Sequence, residues 1–345
     1  MRSKKLSEQI IKTFKNSGFE LSEPDVLLDS EFIIERSGEK FRSSMLTFDR
    51  EDGKTMCLRP DLTVASCISF LQKKSSSKIY YSGQAYRRSS GKGTNFIHDQ
   101  LGIEILGSKN QIQDDFKVLS TILNSAKKIK RKKIQIKVGD ISLFKNLINA
   151  LDMPERWKLR LVRHYWKPSY FEELLKRLEQ NSDIDAVTFD LDKKRFYEMK
   201  KTNQDKIIAG RSISEILKRF DKKIKDPRSF TDGKKIVKII TSFLKINCKL
   251  SELEERLLDF TKKNNLKKNI FRDFKSILNL KKLNQDINFI ANFGRDVEYY
   301  TGIVFEVLSG KKEIARGGRY DDLLKSLGAK KNIPAVGAAI NLKNI

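Results

Sequence analysis

Histidine and cysteine are scarce. The 345-residue chain holds two histidines, His98 and His164, and three cysteines, Cys57, Cys67 and Cys248. The histidines stand apart, with no HExxH spacing and no acidic cluster beside them, which excludes the common patterns of a catalytic metal site. An odd number of cysteines without CxxC spacing supports neither a disulfide framework nor a zinc site, and buried thiols are expected. No run approaches the roughly 18 to 20 apolar residues that a membrane span requires. The basic start Met1-Arg2-Ser3-Lys4-Lys5-Leu6 has no apolar core after it, because Glu8, Lys12 and Lys15 interrupt the pattern, so no signal peptide is read and the cytoplasm is the expected compartment. Acidic residues are short as well: 44 Asp and Glu face 70 Lys and Arg, a net charge of +26. Such an excess suits a polyanion partner, but the lysines are dispersed among abundant isoleucine and asparagine, as a compositional bias would leave them. The densest run, Lys127 to Lys133, lies between a helical and a strand pattern and carries no aromatics on which bases could stack. A nucleic-acid partner is therefore not expected.

What is present is an ordinary globular balance, 39% apolar and 33% charged residues, in a chain long enough for two domains at about 150 residues each. Leu6, Ile10, Ile11 and Phe14 fall at helical spacing before Gly18, predicting an N-terminal amphipathic helix. Residues 79–86 and 96–106 are rich in aromatic and β-branched residues, as antiparallel strands are. Helices are predicted near 63–71, 111–129 and 143–151, and a strand at 134–138. From 151 to 285 helical patterns dominate, as in Ile213, Ile216, Leu217, Phe220 and again in Ile236, Ile239, Ile240, Phe243. Strand texture returns at 287–293 and 301–308, and Gly317-Gly318 reads as a turn before a short helix at 320–327. A sheet that starts before the helical block and resumes after it implies an insertion into one discontinuous domain. The expected organisation is an α+β core of residues 1–150 and 286–345, with a helical insertion of residues 151–285.

Four segments carry chemistry: Leu58-Arg59-Pro60-Asp61-Leu62-Thr63; Tyr86-Arg87-Arg88 leading to Phe96-Ile97-His98-Asp99-Gln100-Leu101-Gly102-Ile103-Glu104; Gly294-Arg295-Asp296-Val297-Glu298-Tyr299-Tyr300-Thr301-Gly302; and Gly317-Gly318-Arg319-Tyr320-Asp321. Together they supply the carboxylates, amide, cations and aromatics that a free amino acid with a ring side chain requires. In this order the four segments resemble the catalytic core of histidyl-tRNA synthetases, a class II synthetase fold built on a mostly antiparallel sheet. The resemblance implies a histidine pocket in which Asp61, Thr63 and Gln100 meet the ammonium, Arg87 and Arg295 the carboxylate, and Glu104, Tyr300 and Tyr320 the imidazole, with Tyr299 beside them. It also makes the segment Phe19 to Ile33, with Pro24, look like the dimer-forming first motif, so a homodimer is expected.

The departures from that family bear on activity. At the position of its ATP-contacting glutamate stands Ser89, Thr94 is nearest the place of its second loop arginine, and Asn344 takes the place of the arginine at the end of the final strand. Charge-assisted contacts to phosphate that each contribute several kcal/mol would be missing, and no GxxxxGK loop replaces them. The sequence ends at Ile345, where a synthetase would continue into an anticodon-binding domain. A kept histidine pocket with these losses resembles the regulatory subunits of ATP phosphoribosyltransferase. That resemblance implies a non-catalytic chain without a cofactor, a short-form catalytic subunit as partner in the first step of histidine biosynthesis, and L-histidine as effector. The segment 209–216 and the Tyr299-Tyr300 segment look closer to that group than to synthetases. A degenerate histidyl-tRNA synthetase and a tRNA-binding pseudo-synthetase remain alternatives; pyrophosphate exchange and the salt dependence of RNA affinity separate them.

Overall fold

The computed structural model describes residues 2–37, 44–73, 77–88, 96–128, 134–180, 194–201, 207–208, 211–224, 230–271, 274–295 and 297–344. The chain divides into two compact units, the first comprising Met1–Leu143, Ile246–Leu257 and Arg272–Ile345, the second Phe144–Lys245 and Leu258–Phe271. Helices run at α1 (Arg2–Asn16), α2 (Ser30–Ser37), α3 (Leu62–Lys73), α4 (Gln111–Lys128), α5 (Ile141–Ala150), α6 (Glu155–Arg163), α7 (Pro168–Gln180), α8 (Ile213–Ile224), α9 (Phe230–Leu244), α10 (Leu253–Lys263), α11 (Lys275–Asn279) and α12 (Leu323–Ser326). Strands run at β1 (Glu20–Leu21), β2 (Leu27–Asp29), β3 (Thr47–Asp49), β4 (Thr55–Leu58), β5 (Lys78–Tyr86), β6 (Ile97–Leu106), β7 (Ile134–Asp140), β8 (Ile207–Ile208), β9 (Arg211–Ser212), β10 (Asn247–Lys249), β11 (Ile287–Ile290), β12 (Ile303–Ser309), β13 (Lys312–Arg319) and β14 (Ala335–Asn341). Among the described residues no helix is long and apolar enough to cross a membrane.

The first unit is built on a nine-stranded sheet in the order β1-β5-β6-β14-β13-β12-β7-β11-β10. Only β1 with β5 and β11 with β7 pair in parallel; the remaining six pairings are antiparallel. This is the expected α+β class, its parallel pairings lying toward the two edges. The expected boundaries, after residue 150 and before residue 286, differ from the observed division at 144–150, at 246–257 and at 272–285. In 246–257 β10 pairs antiparallel with β11 and so belongs to the sheet of the first unit. A three-residue strand between strong helical patterns is too short for its period to be read.

Helices start where short polar side chains can accept the first free backbone N–H groups. Asp29 Oδ1 accepts Phe32 N at 2.9 Å before α2, and Asp61 Oδ1 accepts Thr63 N at 2.7 Å and Val64 N at 3.1 Å at α3. Asn110 and Asp140 cap α4 and α5 in the same way. The α1 stripe buries Ile10 and Phe14 completely, and the chain leaves the helix through Gly18 at φ +79°, a left-handed conformation that glycine adopts without a Cβ clash. In the second unit α9 packs on α7 so closely that a Cβ at Gly233 would stand 2.3 Å from the Leu178 carbonyl oxygen. Phe243, Phe260 and Phe271 fill one part of that unit's core, and Phe144, Tyr165 and Phe171 another.

The diglycine corrects the sequence reading. Gly317 and Gly318 are not a turn but lie inside β13, and the short helix that follows is confined to α12. A Cβ at Gly317 would meet Ala338 Cβ at 2.4 Å, and one at Gly318 the Ile303 carbonyl at 2.7 Å, so both glycines serve close approach within the sheet. The alternation along β13 then sends Arg319 to the opposite face from Gly318. There its Nε and Nη2 both donate to Asp115 Oδ1 of α4, at 3.0 and 2.6 Å, and Nη1 donates to Asp321 Oδ1 at 2.9 Å. Burial pushes the Asp115 carboxyl above its ordinary range despite this partner. For Arg319 burial acts to lower the value, but Asp115 and Asp321 outweigh it and the guanidinium is held higher. Because the pair is buried, removing one member leaves the other charged and unpartnered. Arg319→Ala should cost about 3 to 5 kcal/mol in urea denaturation, whereas a loss under 1 kcal/mol would mean that water reaches Asp115.

Candidate active-site-like pocket

Directly opposed residues of antiparallel strands point to the same face, so the register defines a row across the sheet: Glu104 on β6, Gly337 on β14, Gly318 on β13, Val304 on β12 and Gly139 on β7. Three members of the row are glycine, and each leaves room for a group lying over it. A Cβ at Gly337 would fall 1.4 Å from Glu104 Oε2, one at Gly318 2.8 Å from the Tyr300 ring, and one at Gly139 2.9 Å from the Phe293 carbonyl. One step along, Gly102 opposes Tyr81, and its missing side chain is where the Tyr81 ring lies, 2.3 Å from an ideal Cβ. The glycines thus make room on this face of the sheet for a carboxylate and two tyrosine rings.

Glu104 has no exposed surface. Its Oε1 accepts the Thr63 hydroxyl at 2.7 Å and the Tyr81 hydroxyl at 3.2 Å, and its Oε2 accepts the Tyr320 hydroxyl. Among the described residues it forms no ion pair. Burial raises its pKa to about 7, assisted by the nearby Asp61 charge and opposed by the Tyr320, Thr63 and Tyr81 hydroxyls. Burial likewise pushes the phenols of Tyr81, Tyr299 and Tyr320 well above their ordinary value, so they remain hydroxyl donors at any physiological pH.

The residues singled out from the sequence fall as follows. Thr63, Glu104 and Tyr320 share hydrogen bonds, although Thr63 was expected at the ammonium end. Tyr299 has ring centroids 5.2 Å from Tyr300 and 5.8 Å from Tyr320, both edge-on. Asp61 caps α3 at the same mouth, and Arg87 Nη1 donates to the Pro60 carbonyl at 3.1 Å, next to Asp61. Gln100 opposes Gly83 and Asn341 in the sheet, two strand positions beyond Gly102, on the Glu104 face. Arg295 stands half-buried in the turn after β11. Tyr81 is the pocket residue that the sequence reading passed over. Its signal was pairing: once residues 78–86 and 97–106 are aligned as antiparallel strands, a glycine opposite Tyr81 marks a ring lying across the sheet.

Of the positions that depart from the synthetase pattern, Ser89 and Thr94 lie outside the described residues, as do Asp296 and residues 209–210. Asn344 donates its side-chain amide to the Glu313 carbonyl at 2.7 Å and so ties the segment after β14 to β13.

A mostly antiparallel sheet flanked by helices is the fold of the class II synthetase-like proteins. The chain belongs to the histidyl-tRNA synthetase family, whose profile matches residues 1–345. A protein named ATP phosphoribosyltransferase regulatory subunit from Allorhizobium ampelinum is 29% identical over 97% of this chain and 95% of its own length. One of the same name from Brucella anthropi is 27% identical over 94% of this chain and 92% of its own. A crystal structure described as an ATP phosphoribosyltransferase regulatory subunit/histidyl-tRNA synthetase from Bacillus halodurans C aligns with a TM-score of 0.63, covering 99% of this chain and 77% of that one at 16% identity, a likeness of fold.

The raised Glu104 pKa has a definite sign in stability. The unfolded carboxyl titrates near the model value of 4.5 and the folded one near 7, so the folded state holds the proton longer and loses stability as pH rises through that window. Relative to Glu104→Gln, which has no charge to bury, wild type should become less stable by about 2 to 3 kcal/mol between pH 5 and pH 8 in urea denaturation. A difference independent of pH would mean that the carboxyl does not titrate in this range.

Proposed function

We propose that this protein is a non-catalytic regulatory subunit of ATP phosphoribosyltransferase, acting with a short-form catalytic subunit in the first step of L-histidine biosynthesis and sensing L-histidine in the pocket around Glu104. The observation that carries the reading is the combination of relatives so named, matched over more than nine-tenths of their own length, with a pocket whose groups complement a histidine zwitterion. In that pocket Asp61, Thr63 and Gln100 would face the ammonium, Arg87 and Arg295 the carboxylate, and Glu104, Tyr300 and Tyr320 the ring, with Tyr299 against the aromatic wall. Asn344 adds support, since an amide engaged with the Glu313 carbonyl stands where a phosphate-binding arginine would be needed.

Binding without turnover suits a sensor. Histidine inhibits the assembly if it binds the less active state more tightly, a coupling of about 1 to 3 kcal/mol in typical cases. The chain also pairs with a second copy of itself in this reading. The segment before α2 exposes Leu21, Val26 and Leu27, apolar side chains that a two-fold partner would cover. A chain of this kind works in the cytoplasm.

Alone, the protein should catalyse neither histidine adenylation nor phosphoribosyl transfer; added to a short-form catalytic subunit, it should raise phosphoribosyl-ATP formation. Calorimetry should find L-histidine bound and histidinol, which lacks the carboxylate, bound more weakly, with Arg295→Ala losing roughly 2 to 4 kcal/mol. Aminoacylation by the chain alone would overturn the reading, and unchanged histidine inhibition in a Glu104→Ala complex would move the regulatory site elsewhere. In light scattering at micromolar concentration a dimer mass is expected; a strict monomer would remove the two-fold contact.

A further inference from the structure

On the side of the sheet away from Glu104, a cavity of about 390 Å³ opens beside the start of α4. It is lined by Asn110, Ile112, Gln113 and Phe116 at that helix start, by Asn279 at the end of α11, and by Lys282 in the 3-10 turn Leu280–Leu283. Its walls are tied together. Asn110 Oδ1 accepts Gln113 N at 3.2 Å, the Asn279 amide donates to the Ile112 carbonyl at 3.3 Å, and the Gln111 carbonyl receives Arg319 Nη2 at 3.4 Å. The cavity therefore stands on an anchored helix start, which removes much of the ordering cost that a loop would bring to binding.

The lining has a definite chemistry. Ile112 and Phe116 are half-buried and form an apolar wall. The carboxamides of Asn110, Gln113 and Asn279 can donate and accept, as peptide groups do. Lys282 carries the one charge among the described lining residues, and among the described residues it forms no ion pair, whereas its neighbour Lys281 is held by Glu254 at 2.7 Å. Asp114, beside Gln113, is engaged elsewhere, accepting the Ser108 hydroxyl at 2.8 Å. A nucleotide would bring several phosphate oxygens and more than one negative charge to a single ammonium, without the arginine fork that usually receives them. One ammonium, an apolar wall and three amides instead complement a short stretch of polypeptide in which a carboxylate stands beside an apolar side chain.

Resting on the reading of this chain as a regulatory subunit, we propose that the cavity beside α4 receives an acid-bearing segment of the partner catalytic chain. Its apolar side chain lies against Ile112 and Phe116, its carboxylate meets Lys282, and its peptide groups pair with the carboxamides. An apolar anchor seated in a pocket with a polar rim is the arrangement in which a few residues carry most of an interface's affinity. The net charge of +26 draws an acidic partner surface to this chain and opposes a second copy of the same chain in that role.

The test uses the full chain, with a short-form ATP phosphoribosyltransferase catalytic subunit as the probe. Titration calorimetry should find wild type bound, Lys282→Glu weakened about 10-fold or more, and Lys238→Glu, the same charge reversal on an exposed position of α9, within about two-fold of wild type. Carbodiimide treatment of the wild-type complex, which condenses an amine with a carboxylate in contact with it, should yield by mass spectrometry a peptide pair joining Lys282 to an Asp or Glu of the catalytic subunit. Replacing that carboxylate by lysine should restore binding to Lys282→Glu. Equal binding by wild type and Lys282→Glu, an equal loss in Lys238→Glu, or a Lys282 link found only to a second copy of this chain would overturn the inference while leaving the regulatory reading intact. Failure of wild type to bind the catalytic subunit at all would remove both.

Discussion

Glu104 sits on β6, the third strand of a nine-stranded sheet, without any exposed surface, and much of the pocket is arranged around that carboxyl group. It can occupy the position only because Gly337 opposite has no side chain, and it is held there by the Thr63, Tyr81 and Tyr320 hydroxyls. Each of those hydroxyls comes from a different element: the first turn of α3, the middle of β5 and the residue after β13. The acid therefore fixes the mutual placement of a helix start and two strands. It does so as a shared acceptor, which is directional in a way that apolar packing is not.

The opposite face of the same strand shows how the pocket is kept rigid from behind. Gly318 and Tyr320 face the pocket, and Arg319 between them donates to Asp115 of α4 and to Asp321, two residues further along its own chain. Thr301 is tied in as well, its N–H donating to the Arg319 carbonyl and its hydroxyl receiving the Asp321 N–H. The tyrosine-bearing segment and the end of β13 are thus joined through Thr301, and a buried ion pair joins the end of β13 to α4. Such a pair gives little net stability against an apolar alternative, but it penalises any displacement that separates its members.

Local pattern made part of this legible. The helical spacing of Ile10 and Phe14 and the strand texture of 96–106 involve neighbours a few residues apart, where side-chain period acts directly. The four motif segments were also readable; of the residues drawn from them, Thr63, Glu104 and Tyr320 share hydrogen bonds and Tyr299 and Tyr300 stand ring to ring. Strand β10 was missed because three residues carry no period. The diglycine was misread because glycine signals a turn and a close approach with the same letter. Tyr81 was passed over because its partner, Gly102, lies 21 positions away and is found only by pairing β5 with β6.

By itself the sequence determined the fold class, the family resemblance and the kinds of groups the pocket contains, since composition, period and motif order are properties of the chain. Only the tertiary structure decided that Glu104 accepts three hydroxyls and, among the described residues, forms no ion pair, and that burial raises its carboxyl to about 7. Those properties depend on desolvation and on which distant strands are paired. Both arise when the sheet closes over the acid and removes it from water, a step that no local stretch of sequence encodes.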